Sequence, residues 1–283
     1  MAKHRGIWPI RWMCETLDVS RGGFYAWLKR PPSLRARTDQ QLLHPIRTSF
    51  AESDSTYGAR RVWRDLRAWG HGCGLHRVER LMRANHLWAQ PKRRRPRGDH
   101  GLRPEHAIAP NMLDRQFEAP APNQKWVADF TYLWTWAGWL YVAVVLDLYS
   151  RRIVGWSMQS QMTAQLVTDA LLMAIWRRGP SAALLHHTDQ GSQYTSEQFQ
   201  RLLAEHGVTC SMSRKGDCWD NAAMESFFAS LKKERTHRKH YRTRDAAKAD
   251  VFDYIERFYN PRRRHSTLGY LSPVEFENSM NSA

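Results

Sequence analysis

Trp126-Val-Ala-Asp-Phe-Thr-Tyr-Leu-Trp134, Trp139-Leu-Tyr-Val-Ala-Val-Val-Leu-Asp147 and Arg151-Arg-Ile-Val-Gly-Trp-Ser-Met158 are three strand-like runs separated by turns at Gly138 and Tyr149-Ser150. β-branched and aromatic residues fill all three runs, and such runs joined by short turns make an antiparallel meander. From 163 onward the periodicity changes. A helix is expected at about 163–178, a strand at 183–188, a helix at 196–206 and a short strand at 208–212. A loop from Ser213 to Cys218 then leads to a helix at about 219–237, and a last helix covers about 243–259. A meander followed by alternating helix and strand predicts an α/β fold, a mixed five-stranded sheet with flanking helices.

Three carboxylates stand at informative places in this pattern. Asp129 lies within the first strand. Asp189 ends the run Leu184-Leu-His-His-Thr-Asp189, before Gly191-Ser-Gln-Tyr194. Glu225 lies near the start of the helix that follows Asp220-Asn221. Each sits against an apolar run, where a carboxylate needs a partner or a metal. Hard cations take oxygen ligands, and paired ions can clamp both oxygens of a phosphoryl transfer. On that helix Asn221, Glu225, Phe228 and Lys232 follow i, i+4, i+7 and i+11, so they share one face. Lys232 can therefore meet a phosphate beside a metal held by Glu225, and Asn221 can brace Glu225 or touch DNA. Asp147 also ends a strand, but Leu148-Tyr149-Ser150 suits a turn role. His186 and His187 precede Asp189; one alternates into the core and the other faces the site.

Charge is distributed unevenly along the 283 residues. The net charge is +16, and residues 1–110 hold 22 Lys/Arg against 9 Asp/Glu. Residues 111–230 are nearly neutral, with 9 against 11, and residues 231–283 are basic again, with 12 against 7. Two basic flanks around an acid-bearing centre point to a polyanionic partner, nucleic acid above all. No stretch reaches the 18 or more apolar residues of a membrane span, and the N-terminus lacks the apolar core of a secretory signal. The four cysteines form no Cys-x-x-Cys pair, which disfavours a zinc ribbon or a disulfide framework.

The basic N-terminal part reads as all-α. Residues 1–37 contain a helical hairpin, with Ser20 suited to capping its second helix. Residues 38–90 form a helix-turn-helix region. Within it Val62, Leu66 and Trp69 alternate with Arg60, Arg61, Arg64 and Arg67, and Gly70 to Gly74 makes the break. In such regions one helix enters the major groove. Residues 91–123 are basic and proline-rich. The run Pro91-Lys-Arg-Arg-Arg-Pro-Arg97, with Arg93, Arg94 and Arg95, suits a strand lying along phosphates. Residues 124–240 hold the sheet and its carboxylates, and 241–283 a helix and a basic tail that includes Arg262 and Arg263.

Several of these stretches, taken in order, carry a family resemblance. Trp126 to Tyr132, His187-Thr-Asp-Gln-Gly-Ser-Gln-Tyr194, Ser211 to Asn221 and Glu225-Ser-Phe-Phe-Ala-Ser-Leu-Lys-Lys-Glu234 resemble the catalytic core of bacterial insertion-sequence transposases. The resemblance is to the second-frame (OrfB) kind, related to retroviral integrases. Tyr259-Asn-Pro-Arg-Arg-Arg-His-Ser-Thr-Leu-Gly-Tyr-Leu-Ser-Pro273 resembles that family's C-terminal signature. Tyr57-Gly-Ala-Arg-Arg61 and Val78-Glu-Arg-Leu-Met82 resemble its helix-turn-helix. The resemblance implies a ribonuclease H-like fold, a DDE trio of Asp129, Asp189 and Glu225 holding two Mg²⁺ ions (Mn²⁺ substituting), and Lys232 as a DNA contact. Full enzymes of this kind are usually fusions whose first-frame part recognises element ends and dimerises through a zipper. No sustained heptad repeat precedes residue 38 here, so a first-frame fusion or partner protein would supply that function.

The expected activity is that of a transposase in the bacterial cytoplasm, at the nucleoid. It would carry out metal-dependent cleavage and strand transfer on duplex DNA, at element ends and target, as a homo-oligomer. Further DNA contacts are expected from Arg60, Arg61, Arg64, Arg93, Arg94, Arg95, Arg262 and Arg263. The alternative is a non-catalytic DNA-binding regulator or an inactive remnant. A third reading, a ribonuclease H-type RNA nuclease, leaves the basic N-terminal helices without a role.

Overall fold

A computed structural model of the chain describes residues 1–89, 109–113, 118–179, 183–213, 222–237 and 239–281. The run 91–97 with Arg93, Arg94 and Arg95, and Asn221 with most of the loop before it, lie outside the described residues.

The sheet has five strands: β1 (Lys125–Thr135), β2 (Gly138–Asp147), β3 (Ile153–Gln159), β4 (Leu185–Thr188) and β5 (Thr209–Met212). Their spatial order is β3-β2-β1-β4-β5. The β1–β2 and β2–β3 pairs are antiparallel, as the turns at Gly138 and Tyr149-Ser150 imply, while β1–β4 and β4–β5 are parallel. Gly138 has φ +102°, a conformation that favours glycine. Asp147 takes the turn role. It is fully buried and accepts from the Asn123 and Tyr149 amides at 2.8 and 2.9 Å.

Alternation along β1 divides the core between two faces. Trp126 and Ala128 pack with α6 (Ala164–Arg178) and α7 (Glu197–Glu205). Gly155 on β3 permits the close approach of α6: a Cβ there would lie 2.1 Å from the Ala170 carbonyl and 2.8 Å from the Ala174 Cβ. Val127 and Leu133 point the other way, toward α8 (Ala222–Leu231), which buries Met224, Phe227, Phe228 and Leu231 at i, i+3, i+4 and i+7.

Two helices differ from the sequence expectation. The run expected to be α-helical to 237 widens to π-helix at Lys232–Thr236, and α9 (Arg244–Asp253) does so at Tyr254–Tyr259. In the second, Tyr254 and Tyr259, five residues apart, are both buried. An i→i+5 spacing puts them on one face, which an α-helix would not. A further helix, α10 (Pro273–Asn281), follows.

The N-terminal part is helical. A hairpin of α1 (Ile10–Thr16) and α2 (Arg21–Lys29) has the Ser20 hydroxyl accepting from the Gly23 amide at 3.0 Å. Next come α3 (Leu34–Glu52), α4 (Ala59–Ala68) and α5 (Leu75–Ala84). α3 starts before residue 38 because Ser33 caps it, accepting from Ala36. Ile46, Val62, Leu66 and Val78 are fully buried, and they belong to the same apolar cluster as Phe227, Tyr254 and Phe258. The helix-turn-helix region and the sheet domain thus share one core. Among the described residues no helix is long and apolar enough to cross a membrane.

Candidate active site

Asp129 and Asp189 meet through strand register. β4 runs parallel to β1 with Val127 opposite His187. β4 ends at Thr188, so Asp189 is the first residue past it, and Asp129, two residues beyond Val127, projects from the same face of β1 as Val127. That face is the one α8 covers. The Asp129 Oδ1 accepts from the Phe130 amide at 2.7 Å, and the Asp189 Oδ1 from the Gly191 amide at 2.9 Å. A Cβ at Gly191 would lie 2.9 Å from that same Asp189 oxygen, so glycine keeps this carboxylate's surroundings open.

Glu225 is exposed in the first turn of α8, where a carboxylate suits the helix N-terminus. Burial, and then the negative charge of Asp189, push the Asp129 carboxyl up to about 7; Glu225 adds to the rise, and the Phe130 amide and the Lys232 ammonium oppose it. Asp189, Glu225 and Lys232 therefore all act on Asp129. Among the described residues, no three His, Cys, Asp or Glu side chains already form a closed ligand cluster. The donor set nevertheless suits hard divalent cations: the carboxylates of Asp189 and Glu225 are near enough to act on Asp129, and such repulsion falls when a cation joins the group.

The neighbouring side chains complete the picture. His186 faces the α7 side and contacts the Phe199 ring. It is fully buried, neither ring nitrogen has a hydrogen-bond partner among the described residues, and burial pushes its pKa down to about 3. His187 takes the opposite face, that of Asp129, with its Nδ1 2.9 Å from the Ser211 hydroxyl. Tyr194 is buried between Phe130 and Phe199, close enough to both aspartates that their charges raise its pKa further beyond what burial does. Sequence reading gave Tyr194 no role. Lys232 begins the π-helical segment, its Nζ 5.5 Å from the centroid of the Tyr132 ring.

The arginines expected at DNA divide into two groups. Arg60 is exposed on α4, and Arg262 is exposed beyond the second π-helical segment. Arg64 is exposed as well, its guanidinium about 5 Å from the Trp63 and Tyr270 rings. Arg263 corrects the expectation. Only 6% exposed, it donates to both Glu234 carboxylate oxygens at 2.7 Å and to the Ser230 hydroxyl at 3.0 Å. Arg61 is also turned inward, 3.8 Å from Glu234. A buried carboxylate draws these cations away from solvent, because an unpaired charge there is costly. Glu234 also accepts from the Tyr254 hydroxyl at 2.8 Å.

Other residues of the C-terminal signature are likewise architectural. Asn260 bonds the Ile153 amide and carbonyl at 2.9 Å each. Arg264 pairs with Asp65 of α4 at 2.5 Å, and the Tyr57 hydroxyl bridges the Arg262 carbonyl and the Arg264 amide. Asn260 thus fastens the tail to β3, and Arg264 and Tyr57 fasten it to the helix-turn-helix region. Sequence spacing carries no signal for that.

The chain matches known proteins along nearly all of its length. An integrase core domain matches residues 119–218 and a second integrase core domain matches 225–280; an HTH-like domain matches 37–95. The chain is 44% identical over 98% of its length, and 96% of the relative's, to the transposase InsF for insertion sequence IS3A of Escherichia coli strain K12. It is 41% identical over 93% of its length, and 97% of the relative's, to an insertion element IS600 uncharacterized 31 kDa protein of Shigella sonnei. Among solved structures, the catalytic core domain of BIV integrase aligns with a TM-score of 0.42 and 20% identity, over 56% of this chain and 97% of that one. An integrase core domain implies dependence on divalent metal in general, and an HTH-like domain implies DNA binding. With that identity sustained from end to end, the chain belongs to the InsF transposase family of IS3 insertion sequences.

Proposed function

We propose that this transposase cuts and rejoins DNA through Asp129, Asp189 and Glu225, acting as ligands for two Mg²⁺ ions that Mn²⁺ can replace. The reading rests chiefly on one observation: Asp129 on β1 feels the charges of both Asp189, just past the neighbouring parallel strand, and Glu225. Bound there, the ions would supply positive charge to the attacking and leaving oxygens of an in-line phosphoryl transfer.

The chain's own residues orient that chemistry. Backbone amides of Phe130 and Gly191 each engage one carboxylate oxygen and fix the side chains against rotation. Lys232 offers a compact positive charge to a phosphate near the scissile bond. Arg60, Arg64 and Arg262, together with Arg93, Arg94 and Arg95, meet the phosphates of duplex DNA at element ends and target. Asn221 braces Glu225 or the DNA. The enzyme works as a homo-oligomer on the bacterial nucleoid, in the cytoplasm, with end recognition supplied by a first-frame fusion or partner.

The test is a strand-transfer assay on candidate end DNA. Asp129→Asn, Asp189→Asn and Glu225→Gln each remove a ligand with little change of shape. Each should abolish Mg²⁺-dependent cleavage and leave DNA binding intact. A variant that keeps near wild-type transfer shows that its residue is not a ligand. Wild-type protein that binds ends without cutting them would instead fit a non-catalytic regulator. Competition between duplex DNA and RNA–DNA hybrid separates the ribonuclease reading.

A further inference from the structure

β4 ends at Thr188, level with Ala128, whereas β1 continues to Thr135. Beyond Ala128, among the described residues, the β1 edge facing β4 is next bridged where Tyr241 pairs with Thr135 and its carbonyl accepts from the Trp136 amide at 2.9 Å. Between these points lies a groove of about 450 Å³, lined by the β1–β2 hairpin on one side and by Lys232, Thr236, His237, Lys239, His240 and Tyr241 on the other.

The hairpin wall is aromatic and faces solvent. Tyr132, Trp134, Trp136 and Trp139 lie within eight residues and are 56, 58, 68 and 42% exposed. Trp139 packs edge-on against both Tyr132 and Trp134, at 5.1 and 4.8 Å between ring centroids. Three tryptophans held in water around a groove are costly unless something covers them. Cations stand at two of these rings. The Lys232 Nζ is 5.5 Å from the Tyr132 centroid, and the Arg242 guanidinium is 5.8 Å from that of Trp136. Arg244 braces the turn, its Nε donating to the Trp139 carbonyl at 3.0 Å. Glu234 is buried under Arg263, and Asp250 of α9 is taken up by Lys239 and the Tyr241 hydroxyl, both at 2.6 Å.

We infer that this groove is a stacking platform for unpaired bases of the DNA strand that passes through the carboxylate site. Rings interleaved with cations suit a single strand: the bases stack and the phosphates meet the charges. Paired bases in a duplex do not present free faces to such rings, and a protein partner would need acidic groups to match this wall. Tyr132 projects from the face of β1 opposite Asp129, but Lys232 stands at the Tyr132 ring and its charge is felt at Asp129, which links the groove to the carboxylates. The groove therefore adjoins the carboxylates and can hold a strand frayed next to the scissile phosphate. The inference rests on the proposed DNA-cutting reading, since only that reading brings a DNA strand to this edge.

The experiment compares two fluorescent duplexes binding to the full-length chain in EDTA, where no cutting occurs. One duplex is blunt; the other carries a short single-stranded thymidine extension. Trp134→Ala combined with Trp136→Ala should lower affinity for the extended duplex about tenfold or more, as the loss of ring–base stacking implies. Affinity for the blunt duplex should stay within about twofold, because charge contacts set it. Trp134→Phe combined with Trp136→Phe should restore most of the lost affinity. The platform is overturned if the Ala variant binds the extended duplex as wild type does, or if both duplexes lose affinity equally. A change in oligomeric mass by light scattering, with extension binding intact, would also overturn it and make the face a protein interface. Strand transfer by wild-type protein is measured separately. Failure there refutes the cutting reading, and the binding comparison still decides the platform.

Discussion

Removing Arg263 should unfold this protein far more readily than a lost surface contact would. Arg263→Met strips Glu234 of two bonds at 2.7 Å and leaves the carboxylate with the Tyr254 hydroxyl at 2.8 Å and Arg61 at 3.8 Å. The Arg263 and Glu234 side chains are only 7 and 10% exposed, so solvent cannot take over. Breaking a buried pair from one side costs about 3–5 kcal/mol. At about 2–4 °C per kcal/mol for a chain of this size, Tm should fall by about 6–20 °C in a thermal melt. Adding Glu234→Leu should recover much of the loss, because a pair replaced by apolar groups leaves no stranded charge. Acid gives a second signature. Burial works to raise the Glu234 carboxyl, but the charge and hydrogen bonds of Arg263, with Tyr254 and Arg61, outweigh it and hold the group below the ordinary range. Its contribution is thus present above the unfolded glutamate pKa of about 4.3 and is lost as pH falls through the lower folded value. The stability gap between wild type and Glu234→Gln should close below about pH 4. If Arg263→Met melts within a degree or two of wild type while the salt slope of DNA binding falls by about one, Arg263 is a phosphate contact and the buried-pair reasoning fails.

Lys232→Ala should impair strand transfer more than Lys233→Ala, since Lys232 stands at the Tyr132 ring and acts on Asp129; equal losses in one assay would mean a general charge effect. DNA binding by the full chain should weaken about 10³-fold or more between 50 and 200 mM salt if several phosphates are engaged; a flat titration would rule that out. Gly155→Ala places a Cβ 2.1 Å from the Ala170 carbonyl and should destabilise by about 1–3 kcal/mol in urea, at the level of core overpacking; an unchanged midpoint would show that α6 shifts freely.

The sheet was legible in the sequence because its signal is local. Alternation and two turns define β1 to β3, and the apolar run into Asp189 marks β4, so Asp129 and Asp189 were readable as strand residues. Glu225 could be placed on a helix, and its neighbours Phe228 and Lys232 on the same flank. The arginines were not legible in the same way. Arg60 and Arg61 are adjacent and identical in sequence, yet one is exposed and the other turns toward Glu234. What decides between solvent and core is a carboxylate far along the chain, 29 residues away for Arg263. The π-helical turns escaped for a related reason. In the second of them, the five-residue spacing of buried tyrosines makes sense only once Phe227 and Phe258 are in place around it.

The shared core has a consequence for how such enzymes can be recombined. Tyr57, Asp65 and Arg61 on one side are matched to Phe258, Arg264 and Glu234 on the other. A chimera that grafts a foreign DNA-reading module onto this catalytic half would inherit orphaned ions and a mismatched apolar seam. Retargeting by exchange of whole modules should therefore yield insoluble protein. Exchange of exposed side chains such as Arg60 and Arg64, which leaves the seam intact, is the tractable route to a new target preference.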